Sequence, residues 1–152
     1  MHTGKRPGSW TIRPADGKDY PAIEKLLKTL HLPTQGVKKH LREFVVMVSD
    51  GRIIGTVGLE IHGNKALLRS LGVSENHRNQ GHGRSLVQAV LARALEMGIN
   101  ELFLLTQTAR DYFSGLGFQV VTREVVDETV KSSIEFQSAC PASAVCMRLR
   151  MK

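Results

Sequence analysis

Aromatic residues make up only 5% of the 152 positions, and no stretch interleaves them with lysine or arginine. A platform for stacked bases needs that interleaving, so the net charge of +7 speaks for a small anionic ligand ahead of nucleic acid. No apolar run approaches the length of a membrane span, which sets membrane insertion aside. The opening "MHTGKRPGSW" has no apolar h-region and reads as a flexible basic leader over residues 1–9, ahead of a single domain over 10–152 in a cytoplasmic protein. There are two cysteines, Cys140 and Cys146, with no CxxC partner. That excludes a disulfide framework and gives no metal site; both are expected as reduced thiols packed like small apolar residues.

Several nucleotide and hydrolase motifs are missing too. The run "NHRNQGHGRS" (76–85) fails the dinucleotide fingerprint because position 86 is Leu where a third glycine is needed. No G-x-x-x-x-G-K-[ST] phosphate loop occurs, nor a G-x-S-x-G elbow, nor H-E-x-x-H.

What is present is an alternation of short elements. A strand over Trp10–Arg13 leads to a helix with Asp16 or Asp19 as N-cap and Ile23, Leu26, Leu27 and Leu30 at helical spacing. Pro33 breaks it, and "VKKHLREF" predicts a second, short amphipathic helical turn. "EFVVMVSDGRIIGTVGLEIHG" is a hairpin about Ser49-Asp50-Gly51, and "KALLRSLGV" is a third meander strand after His62-Gly63-Asn64. A long helix is expected from about Gly81 to Met97, stopped by Gly98. "ELFLLT", a short helix in "ARDYFSGLGF", a strand "QVVTREVV", a polar helical stretch over Asp127–Gln137 and a last strand "SAVCMRLRM" complete the chain. The order predicts a mixed α/β (α+β) domain with a largely antiparallel sheet and one or two parallel crossovers.

The turn at 76–85 joins a strand to that long helix. Unpaired N–H groups at a helix start, with the positive dipole end behind them, hold anions. Gly81 and Gly83 let a phosphate approach without meeting Cβ atoms, and Arg78 and Arg84 add fixed positive charge. The same glycines also suit a plain connecting loop.

The residues "RNQGHG" (78–83) match the Arg/Gln-x-x-Gly-x-Gly/Ala signature, and the chain resembles the GNAT superfamily of acetyl-CoA-dependent N-acyltransferases. The preceding strand "LLRSLGV", the long helix, "ELFLLT" and "YFSGLGF" follow in that superfamily's order, from Trp10 onward. "LPTQG", "GLEIHGNKALLRSLGV", "LLTQTARDYFSGLGF" and "EFQSACPASAVCMRL" are more narrowly similar to the small acetyltransferases of arsenic-resistance operons.

The resemblance implies a mixed, mostly antiparallel sheet splayed between its fourth and fifth strands and flanked by helices. It implies acetyl-CoA as co-substrate, with its pyrophosphate on the amides of Arg78, Asn79, Gln80, Gly81, His82, Gly83 and Arg84 and with Ser85 just inside the helix. The pantetheine arm would bond the backbone of Leu71, Gly72 and Val73 as another strand would, with a strand bulge expected at Gly72. Thr106 and Thr108 would line the cofactor cleft or cap the next helix. The acyl acceptor would be the amine of a small molecule, and homodimerisation is left open.

Two positions depart from the superfamily. The fourth-strand carboxylate falls at Leu67, which leaves Glu60 as base candidate or a half-exposed surface carboxylate, with His62 behind it and water as the other route. The thiol-protonating tyrosine falls at Phe113, with Tyr112 one helical step away. Arg69, flanked by Leu67, Leu68 and Leu71, must be paired if buried. Either an internal carboxylate pairs it, or it offers a fork to the carboxylate of an amino acid or of an arsenical or phosphinate analogue. Ser70 and Thr34 are further acceptor contacts. The departures also admit a non-catalytic acyl-CoA sensor with the same fold.

Overall fold

The computed structural model describes residues 9–140 and 142–151, the side chains of Ser138 and Ala139 excepted. The expected leader, save Ser9, falls outside the described residues. Capping chemistry sets the first elements. Strand β1 (Thr11–Pro14) runs into a 3-10 turn, Gly17–Asp19, closed by a capping box between Asp16 and Asp19. The Asp19 carboxylate accepts the Asp16 N–H at 2.8 Å and both Arg13 terminal nitrogens at 2.7 and 2.9 Å. Helix α1 (Tyr20–Thr29) follows, with Pro21 in its first turn. Its Ile23 and Leu27 are fully buried and join Val37, Phe44 and Val46 in one core cluster.

The second helical turn expected over "VKKHLREF" is not a helix. Residues 35–40 form consecutive turns, and a 3-10 turn over Leu41–Glu43 leads directly into the sheet. Strand β2 (Phe44–Ser49) claims Phe44 at once, which leaves too few residues to offset the cost of a helix nucleus.

The hairpin and meander form as the pattern predicts. Strand β2 pairs antiparallel with β3 (Arg52–His62). The turn between them places Asp50 at φ +52° and Gly51 at +74°, the left-handed pair a tight hairpin needs. Strand β4 (Lys65–Val73) completes the meander. Gly72 is not left-handed; the strand residue with positive φ is Ser70, at +61°. The left-handed residue of β4 thus lies two positions before the bulge expected at Gly72. Gly72 is needed for space, because a Cβ there would sit 2.6 Å from Leu30 Cδ1.

Helix α2 (His82–Glu96) ends at Gly98 with φ +79°, and the Ile99 N–H returns to the Ala94 carbonyl at 3.0 Å. After it come β5 (Glu101–Thr106), α3 (Arg110–Gly115), β6 (Gln119–Val120), α4 (Glu128–Lys131) and β7 (Val145–Arg150). The strand expected over "QVVTREVV" is only two residues long, because Arg123–Val125 turns away as a 3-10 turn. The helical stretch expected over Asp127–Gln137 is α4 plus a separate π-type turn, Glu135–Ala139. The sheet has seven strands in the order β1-β2-β3-β4-β5-β7-β6. Strands β4 and β5 are parallel, in register over Lys65–Leu67 with Glu101–Phe103, while β5 pairs antiparallel with β7 from Glu101 to Thr106.

The chain divides into two compact units, one of Met1–Gly58 with Ser70–Val90, the other of Leu59–Arg69 with Leu91–Lys152. The first has the α1–β2 core; in the second, Leu67, Phe103, Val126, Val130 and Cys146 pack together.

Two stability predictions follow from these contacts. Phe44 lies across from Gly58 in the β2–β3 register, and its ring occupies the space a Cβ at Gly58 would need. Gly58→Ala is expected to destabilise the fold by about 1–3 kcal/mol in urea titration. Asp19 is held below the ordinary carboxylate range, first by its Arg13 hydrogen bonds and then by the Asp16 N–H, against an opposing effect of burial. A depressed folded-state value gives stability that is present above the unfolded value and lost as pH falls through the folded one. Asp19→Asn is therefore expected to lower stability by about 1–2 kcal/mol at neutral pH. The difference should shrink as pH drops below the ordinary aspartate range, read from urea midpoints at neutral and acid pH.

Candidate functional site

In the first unit, the segment after β4 builds the turn expected to hold an anion. The Ser74 N–H donates to the Ile54 carbonyl of β3 at 2.8 Å. Strand alternation then turns the Val73 amide and carbonyl away from β3. The Val73 carbonyl accepts from Arg78 Nε at 3.4 Å, which draws the Arg78 stem back toward β4. Asn79 and Gly81 are both left-handed, at φ +62° and +79°. Nothing lies within 4 Å of a Cβ built on Gly81, so open space faces the start of α2 there.

The sequence-predicted members of this turn are all present, and several are engaged within it. The Ser85 N–H and hydroxyl both donate to the Gly81 carbonyl, at 3.1 and 3.2 Å. Gln80 Oε1 lies 3.2 Å from His82 Nε2. His82 itself is buried, edge-on to Trp10 with ring centroids 5.7 Å apart. Burial, and secondly the neighbouring His77, lower its pKa, so His82 contributes a neutral ring to the turn. Arg78, Asn79, Gln80 and Arg84 are exposed. The turn therefore offers backbone donors at a helix start beneath exposed positive side chains. A cavity of about 720 Å³ opens beside α1 in the same unit, and Arg13, Lys18, Lys25 and Arg52 give its lining a positive excess.

In the second unit, β3, β4 and the π-type turn bring charged groups together in the interior. Arg69 is 2% exposed and donates from Nη1 to Glu60 Oε2 at 2.7 Å. Its Nε lies 3.5 Å from Glu135 Oε2. His62 Nε2 is 3.6 Å from Glu60 Oε1 and makes no hydrogen bond among the described residues. The Cys140 thiol hydrogen-bonds Glu135, and the Cys140 N–H closes the π-type turn on the Glu135 carbonyl at 3.1 Å. Burial pushes the Glu135 carboxyl up to about 7, with Arg69 opposing and Glu60 adding to the rise. Burial and the adjacent Glu135 push the Cys140 thiol up to about 12.

Two expectations are corrected here. Glu60 is not a half-exposed surface carboxylate but an interior group, 1% exposed. Arg69 does not present a fork to an acceptor carboxylate, because carboxylates of the protein already flank it. The cost of an unpaired buried charge is met inside the chain.

The other candidates have contacts of their own. Thr106 Oγ1 accepts the Ala109 N–H at 3.0 Å and so closes the turn into α3. Tyr112 is 43% exposed with its ring edge-on to Phe113, and Phe113 is the buried member of the pair. Thr34 is half-buried, and its carbonyl holds the Val37 N–H at 3.2 Å. Leu67 is fully buried in the second unit's core. Glu135 was not singled out from sequence, and Cys140 was read only as a reduced thiol packed like a small apolar residue. The only signal was a glutamate and a cysteine in a polar, weakly patterned stretch, where spacing carries little information.

Among the described residues no cluster of three or more metal-ligating side chains occurs, and no helix is long and apolar enough to cross a membrane. An uncharacterised N-acetyltransferase of Chlorobaculum tepidum is 30% identical over 118 residues, 77% of this chain and 74% of that protein. An amino-acid acetyltransferase of Neisseria meningitidis is 27% identical over 78% of this chain and 29% of its own length. The N-acetylglutamate synthase of Neisseria gonorrhoeae, solved with coenzyme A and N-acetyl-glutamate, superposes with a TM-score of 0.81 at 22% identity, over 95% of this chain and 35% of that one. The chain thus spans a minor part of either Neisseria protein. The profile of the acetyltransferase (GNAT) family matches residues 10–118, and the chain belongs to that family of enzymes.

Proposed function

We propose that this chain moves the acetyl group of acetyl-CoA directly to the primary amine of a small molecule, an amino acid or amino-acid-like compound. The observation that carries the reading is the turn before α2, with left-handed Asn79 and Gly81 and open space over Gly81 at a helix start. The amides of the turn from Arg78 to Arg84 receive the pyrophosphate, with Ser85 just inside the helix, and Arg78 and Arg84 neutralise it. The pantetheine arm lies along Leu71, Gly72 and Val73. The Val73 N–H, turned away from β3, donates to the oxygen that gains charge as the amine attacks. Names of the amino-acid acetyltransferase relatives support an amino-acid acceptor. Similarity to arsenic-resistance acetyltransferases adds arsenic and phosphorus analogues of amino acids to that class.

The transfer itself asks little of the protein beyond positioning and proton removal. An ammonium loses one proton to become a nucleophile. Its nitrogen attacks the thioester carbon, and the C–S bond breaks with its electron pair on sulfur. Glu60 is the proposed proton acceptor on the acceptor side, with Ser70 and Thr34 as contacts to the substrate. The nitrogen's second proton goes to the leaving thiolate or to solvent, since a thiol near 8.5 needs no strong acid. Tyr112 is the hydroxyl on α3 offered for that step, and its exposure favours solvent in its place.

A second reading is a sensor that holds acyl-CoA without turnover. It is favoured by the burial of Leu67 and Phe113 in core packing at the positions where the family's carboxylate and tyrosine are expected.

Coenzyme A binding should be measurable by calorimetry. Gly81→Ala should weaken it about tenfold, because a left-handed alanine costs about 1–2 kcal/mol and empties the binding conformation of the turn. Unchanged affinity would place the cofactor elsewhere. Release of free thiol on mixing acetyl-CoA with a panel of amino acids and their arsenic and phosphorus analogues separates the two readings. Binding without thiol release would establish the sensor.

A further inference from the structure

The interior of the second unit holds two carboxylates against one guanidinium. Arg69 stays charged at any working pH. Glu60, at 2.7 Å in a direct hydrogen bond, takes that charge as its partner. Glu135 stands at 3.5 Å from Nε and is 4% exposed. With both carboxylates ionised, Arg69, Glu60 and Glu135 together would carry one net negative charge out of water, which is costly. With one proton retained the three are neutral. The arrangement is therefore a proton store with a capacity of one.

We propose that Glu60 and Glu135 act as one proton-accepting pair across Arg69, with Glu135 the positioning residue that sets how strongly Glu60 takes the proton of the acceptor ammonium. This rests on the acetyl-transfer reading above. The proton leaves the ammonium nitrogen for the Glu60 carboxylate, and the N–H electron pair becomes the lone pair that attacks the thioester. Glu135 does not touch the amine. Its negative charge opposes that of Glu60 across the guanidinium, and so raises the basicity of a carboxylate that Arg69 alone would make a very weak base. The proton then returns to water, and no oxidant or second reactant is needed.

The other groups around the pair fit this division of roles. His62 Nε2, 3.6 Å from Glu60 Oε1, is itself buried and makes no hydrogen bond among the described residues, although its side chain as a whole is 15% exposed. Cys140 hydrogen-bonds Glu135 from the end of the π-type turn, and its thiol stays protonated throughout the neutral range. It supplies a donor to Glu135 and no charge of its own. Arg123 stacks on Phe136 with its guanidinium carbon 5.6 Å from the ring centroid, and its charge acts on Cys140. The Glu135 N–H is fixed by the Ser133 hydroxyl at 3.1 Å, so the carboxylate is held from both ends of the turn.

Glu135→Gln keeps the size and a hydrogen-bonding head but removes the second charge. The first measurement needs no acceptor: the glutamate side-chain carboxyl carbons are labelled with 13C and followed by NMR against pH. One carboxyl signal should titrate near 7 in the parent and be missing in Glu135→Gln. If every glutamate carboxyl in the parent titrates in the ordinary acid range, the proposal is wrong. The second measurement is the pH profile of kcat/KM with the amino acid that gives the fastest thiol release.

In Glu135→Gln the acid limb should move down by at least one pH unit and the plateau should fall about tenfold to a hundredfold, with coenzyme A affinity by calorimetry unchanged. Glu135→Asp should restore the position of the limb in part. A uniform loss at all pH with no movement of the limb would make Glu135 merely structural and overturn the pair while leaving acetyl transfer intact. A parent that binds coenzyme A but acetylates none of the panel would overturn both.

Discussion

A guanidinium in the middle of a strand between leucines has to be neutralised where it stands. Arg69 meets that demand with Glu60, nine positions earlier on the neighbouring strand, and with Glu135 from the far end of the chain. Removing the guanidinium would leave two buried carboxylates without their shared counter-charge. The pairing therefore ties the β3–β4 hairpin to the segment between α4 and β7. It also decides what the second unit can do, since the groups that balance the charge are the ones that can hold or release a proton.

The consequence for specificity runs opposite to a reading from Arg69 alone. A lone arginine would invite an anion. An arginine flanked by two carboxylates presents no net positive charge, and with both ionised it presents a negative one. The electrostatics of this cluster suit the ammonium end of an acceptor, while the positive residues of the first unit suit phosphate. The turn before α2 carries exposed arginines and backbone donors, while the carboxylates around Arg69 are buried.

Elements with a strong period or explicit turn chemistry were legible in the sequence. The Asp50-Gly51 hairpin, α1, α2 with its Gly98 stop, and the buried β5 all occur where spacing and glycine placed them. The turn before α2 was legible because its glycines have a local meaning. What failed was decided by tertiary partners. "VKKHLREF" has a helical pattern, yet Phe44 is drawn into the sheet opposite Gly58. Gly72 looked like a backbone pivot, but it makes room for Leu30, while Ser70 carries the left-handed backbone. Arg69 was recognised as needing a partner, and Glu60 on the neighbouring strand supplies it, but the second carboxylate, Glu135, lies sixty-six positions away in a stretch without periodicity, where no local rule reaches.

The order of the charges along the chain carries a consequence for synthesis. Glu60 leaves the ribosome before Arg69, and the two belong to adjacent strands of one tight hairpin. The guanidinium thus meets its principal counter-charge through a short loop closure as soon as β4 emerges. Glu135 arrives much later, after α2, β5 and α3 have been made. The nascent β3–β4 hairpin is consequently charge-balanced before the enzyme's proton store exists, and the step that creates the store is the late docking of the π-type turn.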